Sequence, residues 1–203
     1  MNKLVLLMAV IILIAGSLVG YTWFRQKSDE TPTDKTEIKP TTKFKKSVKK
    51  EVKAMKIASK AFSDSETIPD SFTCKGANIN PLLTISDVPD SAKSLVLIMD
   101  DPDAPSGTAN PGWVHWVIFN IDPSTTEIAE DSVPAGGVLG MTDFGNARYG
   151  GPCPPSGTHH YHFSLFALDS LLGLSNGASK SDVEAAMANH VITKSDLIGL
   201  VSK

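Results

Sequence analysis

Three aspartates within four residues, Asp100, Asp101 and Asp103, crowd the end of an apolar run in "SLVLIMDDPDAP" (94–105), and Pro102 and Pro105 restrict the backbone around them. Carboxylates packed so closely repel one another and require donors, a metal or water. His115 lies inside the next apolar run, "WVHWVIFNI" (113–121), between Val114 and Trp116. A lone histidine in such a run is ordinarily a satisfied core or rim residue. Aspartates at the end of the adjacent run change that reading. A carboxylate on one imidazole nitrogen would fix the tautomer of His115 and free the other nitrogen for a ligand.

A second concentration of chemistry is "YGGPCPPSGTHHYHF" (149–163). Its Pro and Gly residues specify a stiff, irregular turn, and a strand-like run follows. Along that strand His159, Tyr161 and Phe163 share one face, while His160, His162 and Ser164 share the other, so only one of these faces can line a pocket with Tyr161. Glycines at 150, 151 and 157 would let an anion approach backbone N–H groups. His160 and His162, two apart on one face, make a plausible chelating pair. Two clusters on opposite faces cannot form one metal site, however, and no His-Glu-x-x-His spacing is present, so neither a metal nor another cofactor is expected. Ser156, set in a Pro/Gly turn, reads as a turn residue and not as a nucleophile. A non-enzymatic role is therefore expected.

The elements that must position these residues are short and mostly extended. The runs 94–100, 113–121 and 161–168 read as buried strands, separated by Pro/Gly-rich loops at 100–112, 133–140 and 145–158. A late amphipathic segment, "SDVEAAMANH" (181–190), reads as a helix with Ser181 and Glu184 at capping-box spacing, and "LIGLVS" (197–202) reads as a closing strand. Short strands, long loops and one late helix predict a mainly β fold, an antiparallel β-sandwich or barrel with a short C-terminal helix. Cys74 and Cys153 each lie in a turn-rich loop. Pairing them is expected in an extracytoplasmic compartment, with two separate thiols as the alternative.

The chain of 203 residues has a formal net charge of −3, which conceals a division. Residues 4–24 carry no charge and, as a helix, would span about 31 Å, close to a bilayer's hydrocarbon core. This segment is expected to be a transmembrane anchor, with a cleaved signal ending near Ala15-Gly16-Ser17 as the alternative. Either places the rest on the extracytoplasmic side, anchored or secreted. Residues 25–55 are rich in Lys, Thr and Pro and are expected to form a disordered tether. Across residues 25–60, twelve Lys/Arg face five Asp/Glu, whereas 61–203 carry six against seventeen. The lysines suit anionic lipid headgroups or simply solvated charge. An acidic body and a basic run nearly without aromatics argue against nucleic acid. Residues 56–203 form the expected folded domain.

The motifs "DPDAP", "W-x-H-W" followed by "N-I", and "YGGPCPPSGTHHYHFSLFALD" together resemble the phosphatidylethanolamine-binding protein family, which includes the Raf kinase inhibitor proteins of animals. "SFTCKGANINPLLTISDVP" (71–89) and "HVITKSDLIGL" (190–200) are similar to its bacterial and archaeal, YbhB/YbcL-like branch. The resemblance covers about residues 56–203. It implies a two-sheet, Greek-key-like β-sandwich with a small anion pocket at one end, lined by Asp101, Asp103, His115, Pro155, Gly157, His159 and Tyr161. Lys75 and Ala77 depart from the family's acidic residues after the cysteine, and Leu82 from its second proline; none of them falls on the pocket positions. The ligand implied is a phosphate-type anion or a phospholipid headgroup such as phosphorylethanolamine. Inhibition of a protein partner, for example a protease of the same compartment, is the second expectation.

Overall fold

In the computed structural model, which describes residues 54–105 and 112–203, the elements are β1 (Lys56–Ser59), β2 (Glu66–Thr67), a short 3₁₀ turn (Asp70–Phe72), β3 (Leu83–Ser86), β4 (Ser94–Asp101), β5 (Trp113–Ile121), β6 (Glu127–Ile128), β7 (Val138–Leu139), β8 (Thr158–Leu168), α1 (Lys180–Met187) and β9 (Val191–Ser202). The anchor or signal segment at 1–24 and nearly all of the tether lie outside the described residues. Among the described residues no helix is long and apolar enough to cross a membrane.

The strands form two sheets. One has three strands in the order β1-β3-β6, and the other six in the order β2-β9-β8-β4-β5-β7. The pairings are antiparallel, as expected, apart from the edge pair of β2 with β9, which is parallel. There the two-residue β2 joins β9 directly, without a hairpin to impose direction.

β4 lies at the centre of the larger sheet and is buried on both faces, which explains why its sequence is continuously apolar rather than alternating. Leu95, Leu97 and Met99 point toward the smaller sheet, joining Trp116, Ile118, Phe163 and Leu165 against Ile57, Leu83, Ile85 and Ile128. Val96 and Ile98 point the other way, into a second cluster with Val117 and Phe119 beneath Val183 and Met187 of α1. Each fully buried side chain of this kind contributes about 1.5–3 kcal/mol. The larger sheet therefore separates two apolar layers, one closed by the second sheet and the other by the helix.

Two boundaries differ from the sequence reading. The helix begins at Lys180, capped by Ser179, whose hydroxyl accepts from the Asp182 N–H while Asp182 reaches back to the Ser179 N–H. The capping box is thus Ser179/Asp182, not Ser181/Glu184. Lys180 explains the shift: its ammonium pairs with Asp100 at the end of β4, which requires it to lie inside the first turn. The closing strand is twelve residues long and not six, because it pairs with β8 along its whole length.

Antiparallel register brings the chemistry to one end of this sheet. Asp101 at the end of β4 lies opposite Trp113 at the start of β5, and Asp100 lies opposite His162 near the start of β8. The beginnings of β5 and β8 thus flank the aspartates.

Candidate functional site

Asp101 is buried, and three donors satisfy it. Its Oδ1 accepts from the N–H groups of Asp103 (3.0 Å) and Ala104 (3.1 Å), and its Oδ2 accepts from His159 Nδ1 (2.7 Å). The Pro102-containing turn wraps these amides around the carboxylate. With Nδ1 committed to Asp101, His159 carries its proton there and leaves Nε2 for other contacts.

The carboxylate expected on His115 is instead a backbone carbonyl. His115 Nδ1 lies 2.6 Å from the Gly150 oxygen, and a carbonyl can only accept, so Nδ1 is the protonated nitrogen. Burial holds the imidazole below its ordinary value of 6.5, partly offset by the Gly150 carbonyl and by the nearby Asp101. Near neutral pH, His115 is therefore uncharged, with an unprotonated Nε2. Its ring packs edge-to-face on Tyr161 (5.1 Å between centroids) and on Phe144 (5.3 Å). Burial, reinforced by Asp101, raises the phenol of Tyr161 well above its usual range, so it remains a donor.

These groups surround a cavity of about 310 Å³, lined by Asp101, Ala104, Pro105, Trp113, His115, Phe144, Cys153, Pro155 and Tyr161. Trp113 and Phe144 pack edge-to-face at 5.6 Å and are both more than a third exposed, which places two aromatic rings at the mouth. The loop carrying Phe144 is fixed to β5 by Asp143, whose carboxylate accepts from the Val114 N–H (2.7 Å) while its own N–H donates to the Val114 carbonyl (3.1 Å). Gly150 lets the Phe144 ring sit against the backbone, since a Cβ there would stand 2.2 Å from that ring.

Of the residues expected at the pocket, Asp101, His115, Pro155 and Tyr161 line the cavity. His159 does not; it stands behind Asp101 and holds that carboxylate. Asp103 is turned away, because the same turn that points Asp101 inward points the next-but-one side chain outward. It accepts from the backbone N–H (2.8 Å) and from Nδ1 (2.7 Å) of His160, and those bonds lower its pKa. That pairing also takes up one member of the suggested His160/His162 chelating pair, and no group of three metal-ligating side chains occurs among the described residues. Gly157 is likewise off the cavity. Its φ of +66° and its carbonyl bond to the Lys203 N–H show a turn residue feeding β8.

Cys74 and Cys153 form a disulfide, Cα to Cα 5.5 Å, which ties the site loop to the loop after the 3₁₀ turn. Three hydrogen bonds reinforce this tie: Cys74 N–H to the Pro152 carbonyl (3.0 Å), Gly151 N–H to Asn78 Oδ1 (2.6 Å), and Tyr149 Oη to the Phe72 carbonyl (2.7 Å). Sequence reasoning overlooked Trp113, Phe144 and the Gly150 carbonyl. The signal for Trp113 was its place two residues before His115, on the same side of an extended strand. No local signal identifies a carbonyl contributed from 35 positions away.

Residues 58–202 match the profile of the phosphatidylethanolamine-binding proteins. The chain belongs to this family. Within the phosphatidylethanolamine-binding protein family it is similar to a UPF0098 protein of Methanothermobacter thermautotrophicus, with 50% identity over 151 residues, covering 72% of this chain and 97% of that one. Among solved structures, a phosphatidylethanolamine-binding protein homologue from Chlamydia trachomatis superposes with a TM-score of 0.70 at 40% identity, covering 74% of this chain and 98% of the other. Escherichia coli YbcL, a further family member, gives 0.69 at 31% identity, covering 74% and 99%. The expected family and its mainly β fold are thereby shown, and the cavity described above occupies the matched region.

Proposed function

We propose that the cavity beneath Trp113 and Phe144 binds a small phosphate-type group, phosphorylethanolamine being the headgroup that suits it best, and that it does so without turnover. The observation that carries this reading is the convergence of Asp101, His115 and Tyr161 on one enclosure of about 310 Å³. Tyr161 can donate to a phosphate oxygen. Nε2 of neutral His115 can accept from a P–OH or from an ammonium group. Asp101 has used three of roughly four acceptor positions, and the last, which faces the Tyr161 hydroxyl, becomes available to the ammonium as that hydroxyl turns to the phosphate. The apolar walls accommodate the methylenes between the two charges. An uncharged His115 beside a carboxylate would disfavour a phosphate dianion, so the ligand should bind as a protonated or zwitterionic species. Binding without catalysis is supported by the lining itself: its hydroxyl is the strongly raised Tyr161 phenol, and its cysteine is in a disulfide. That disulfide also accords with placement of the domain in an oxidising, extracytoplasmic compartment.

Isothermal titration with phosphorylethanolamine tests the reading directly. Wild type should bind, and His115→Ala and Tyr161→Phe should each lose about tenfold, the worth of one hydrogen bond to a charged group. Thermal melts confirm that the variants are folded. Identical heats from all three folded proteins would refute the proposal.

A further inference from the structure

A second and larger cavity, about 440 Å³, opens where the 76–80 loop, the 131–133 turn and residues 148–149 meet. Its size lies within the range typical of small-molecule sites. Trp116 (1% exposed) and Tyr149, edge-to-face at 5.4 Å, back this cavity, with Leu139 beside them, so an aromatic and apolar patch lies within a lining that is polar for the greater part. The polar lining is of a different kind. It includes one cation, Arg148, and one anion, Asp131, and neither is ion-paired with any described residue.

The backbone at both charged positions is held in place, and both side chains are exposed. Asp131 adopts φ +48° in a turn clamped by the buried Asn80, whose amide donates to the Ala129 carbonyl (2.8 Å) and whose Oδ1 accepts from the Ser132 N–H (3.0 Å). Arg148 precedes Tyr149, which the Phe72 carbonyl anchors. Asn78 spends its Oδ1 on the Gly151 N–H, which leaves its NH₂ group as a donor beside Arg148. A planar guanidinium with a neighbouring amide donor suits a carboxylate, and a lone carboxylate suits an ammonium. Two opposite charges that line one cavity without pairing suit a ligand carrying both.

We propose that this cavity binds a free α-amino acid with an apolar or aromatic side chain, its carboxylate on Arg148 and Asn78, its ammonium on Asp131, and its side chain against Trp116 and Leu139. The site is separate from the one beneath Trp113 and Phe144, and the two readings stand or fall independently.

The test uses the full chain and three probes: L-phenylalanine, 3-phenylpropionate, which retains only the carboxylate, and 2-phenylethylamine, which retains only the ammonium. The readouts are calorimetry and the indole N–H resonance of Trp116, assigned with Trp116→Phe. L-Phenylalanine should bind and shift that resonance, and each half-ligand should bind at least about tenfold more weakly. Arg148→Ala and Asp131→Asn should each cost L-phenylalanine about tenfold, and asparagine tolerates the positive φ at 131. Thermal melts of the same variants should match wild type, which shows that they remain folded. Three results would each overturn the proposal: no shift of the Trp116 resonance at about 10 mM L-phenylalanine, a half-ligand binding as tightly as the whole, or full retention of binding by either folded variant.

Discussion

Burial of His115 makes a prediction about acid. Its folded pKa lies below the 6.5 of a free imidazole, so as pH falls below 6.5 the unfolded chain takes up a proton that the native state resists. Stability is therefore fullest above 6.5 and declines as pH drops from there toward the depressed native value. Chemical denaturation at pH 7.5 and 5.5 should show this loss, and His115→Gln should make it shallower; an unchanged slope in a folded variant would contradict the assignment. The same residue shows what local sequence can convey. The spacing of Asp101, His115 and Tyr161 placed them at neighbouring strand ends. It could not separate Asp101 from Asp103, because which of two carboxylates points inward depends on the turn between them. Nor could it show that a carbonyl, and not a carboxylate, holds His115. Gly150 provides a second prediction. A methyl there meets the Phe144 ring at 2.2 Å, but Phe144 is 44% exposed and can swing outward. Gly150→Ala should cost about 1 kcal/mol of stability while weakening phosphorylethanolamine severalfold, since the displaced ring is part of the rim.

At the level of elements, residues buried on both faces were the legible ones. β4, β5 and the second half of β8 are continuous apolar runs, and their burial made them so. The first half of β9 buries no side chain fully, yet it forms a strand because β8 presents a long line of backbone partners, information that is not contained in β9 itself. The two-residue strands β2, β6 and β7 exist for the same reason. The helix start was ambiguous because Ser179/Asp182 and Ser181/Glu184 both have a capping pattern, and Lys180's pairing with Asp100 chooses between them. Ser179→Ala should then destabilise by about 1 kcal/mol, whereas Ser181→Ala should be nearly neutral; the reverse order in denaturant midpoints would restore the sequence reading. The Cys74–Cys153 crosslink spans 79 positions, and removing it with the paired Ser substitutions should cost about 2–5 kcal/mol. Three hydrogen bonds remain between the same loops, so ligand affinity measured well below the melting temperature should fall by less than about fivefold, roughly 1 kcal/mol. A collapse of binding at full folding would instead make the disulfide the principal support of the site.

Over the whole molecule, charge opposes the proposed ligand. Residues 61–203 carry seventeen acidic against six basic side chains, and the cavity itself contains a carboxylate and an uncharged imidazole. Recognition of a phosphate-type group must then come from short-range donors inside the enclosure and proceed against a repulsive field outside it. Repulsion between separated charges is screened over a Debye length that shrinks from about 30 Å at 0.01 M to about 10 Å at 0.1 M, while hydrogen bonds within the cavity are little affected. The affinity for inorganic phosphate should accordingly rise, by roughly twofold, as ionic strength increases across that interval with a bulky, weakly binding anion. A site built on lysine or arginine shows the opposite trend. The twelve basic residues between 25 and 60 soften the effect by lowering the net charge of the molecule, so replacing Lys43, Lys45, Lys46, Lys49 and Lys50 with glutamine should enlarge the rise. Titration calorimetry of the full chain at both ionic strengths measures this. If affinity instead drops severalfold with salt, long-range attraction draws the anion in, and a protonated His115 would have to replace the neutral one in the account of binding.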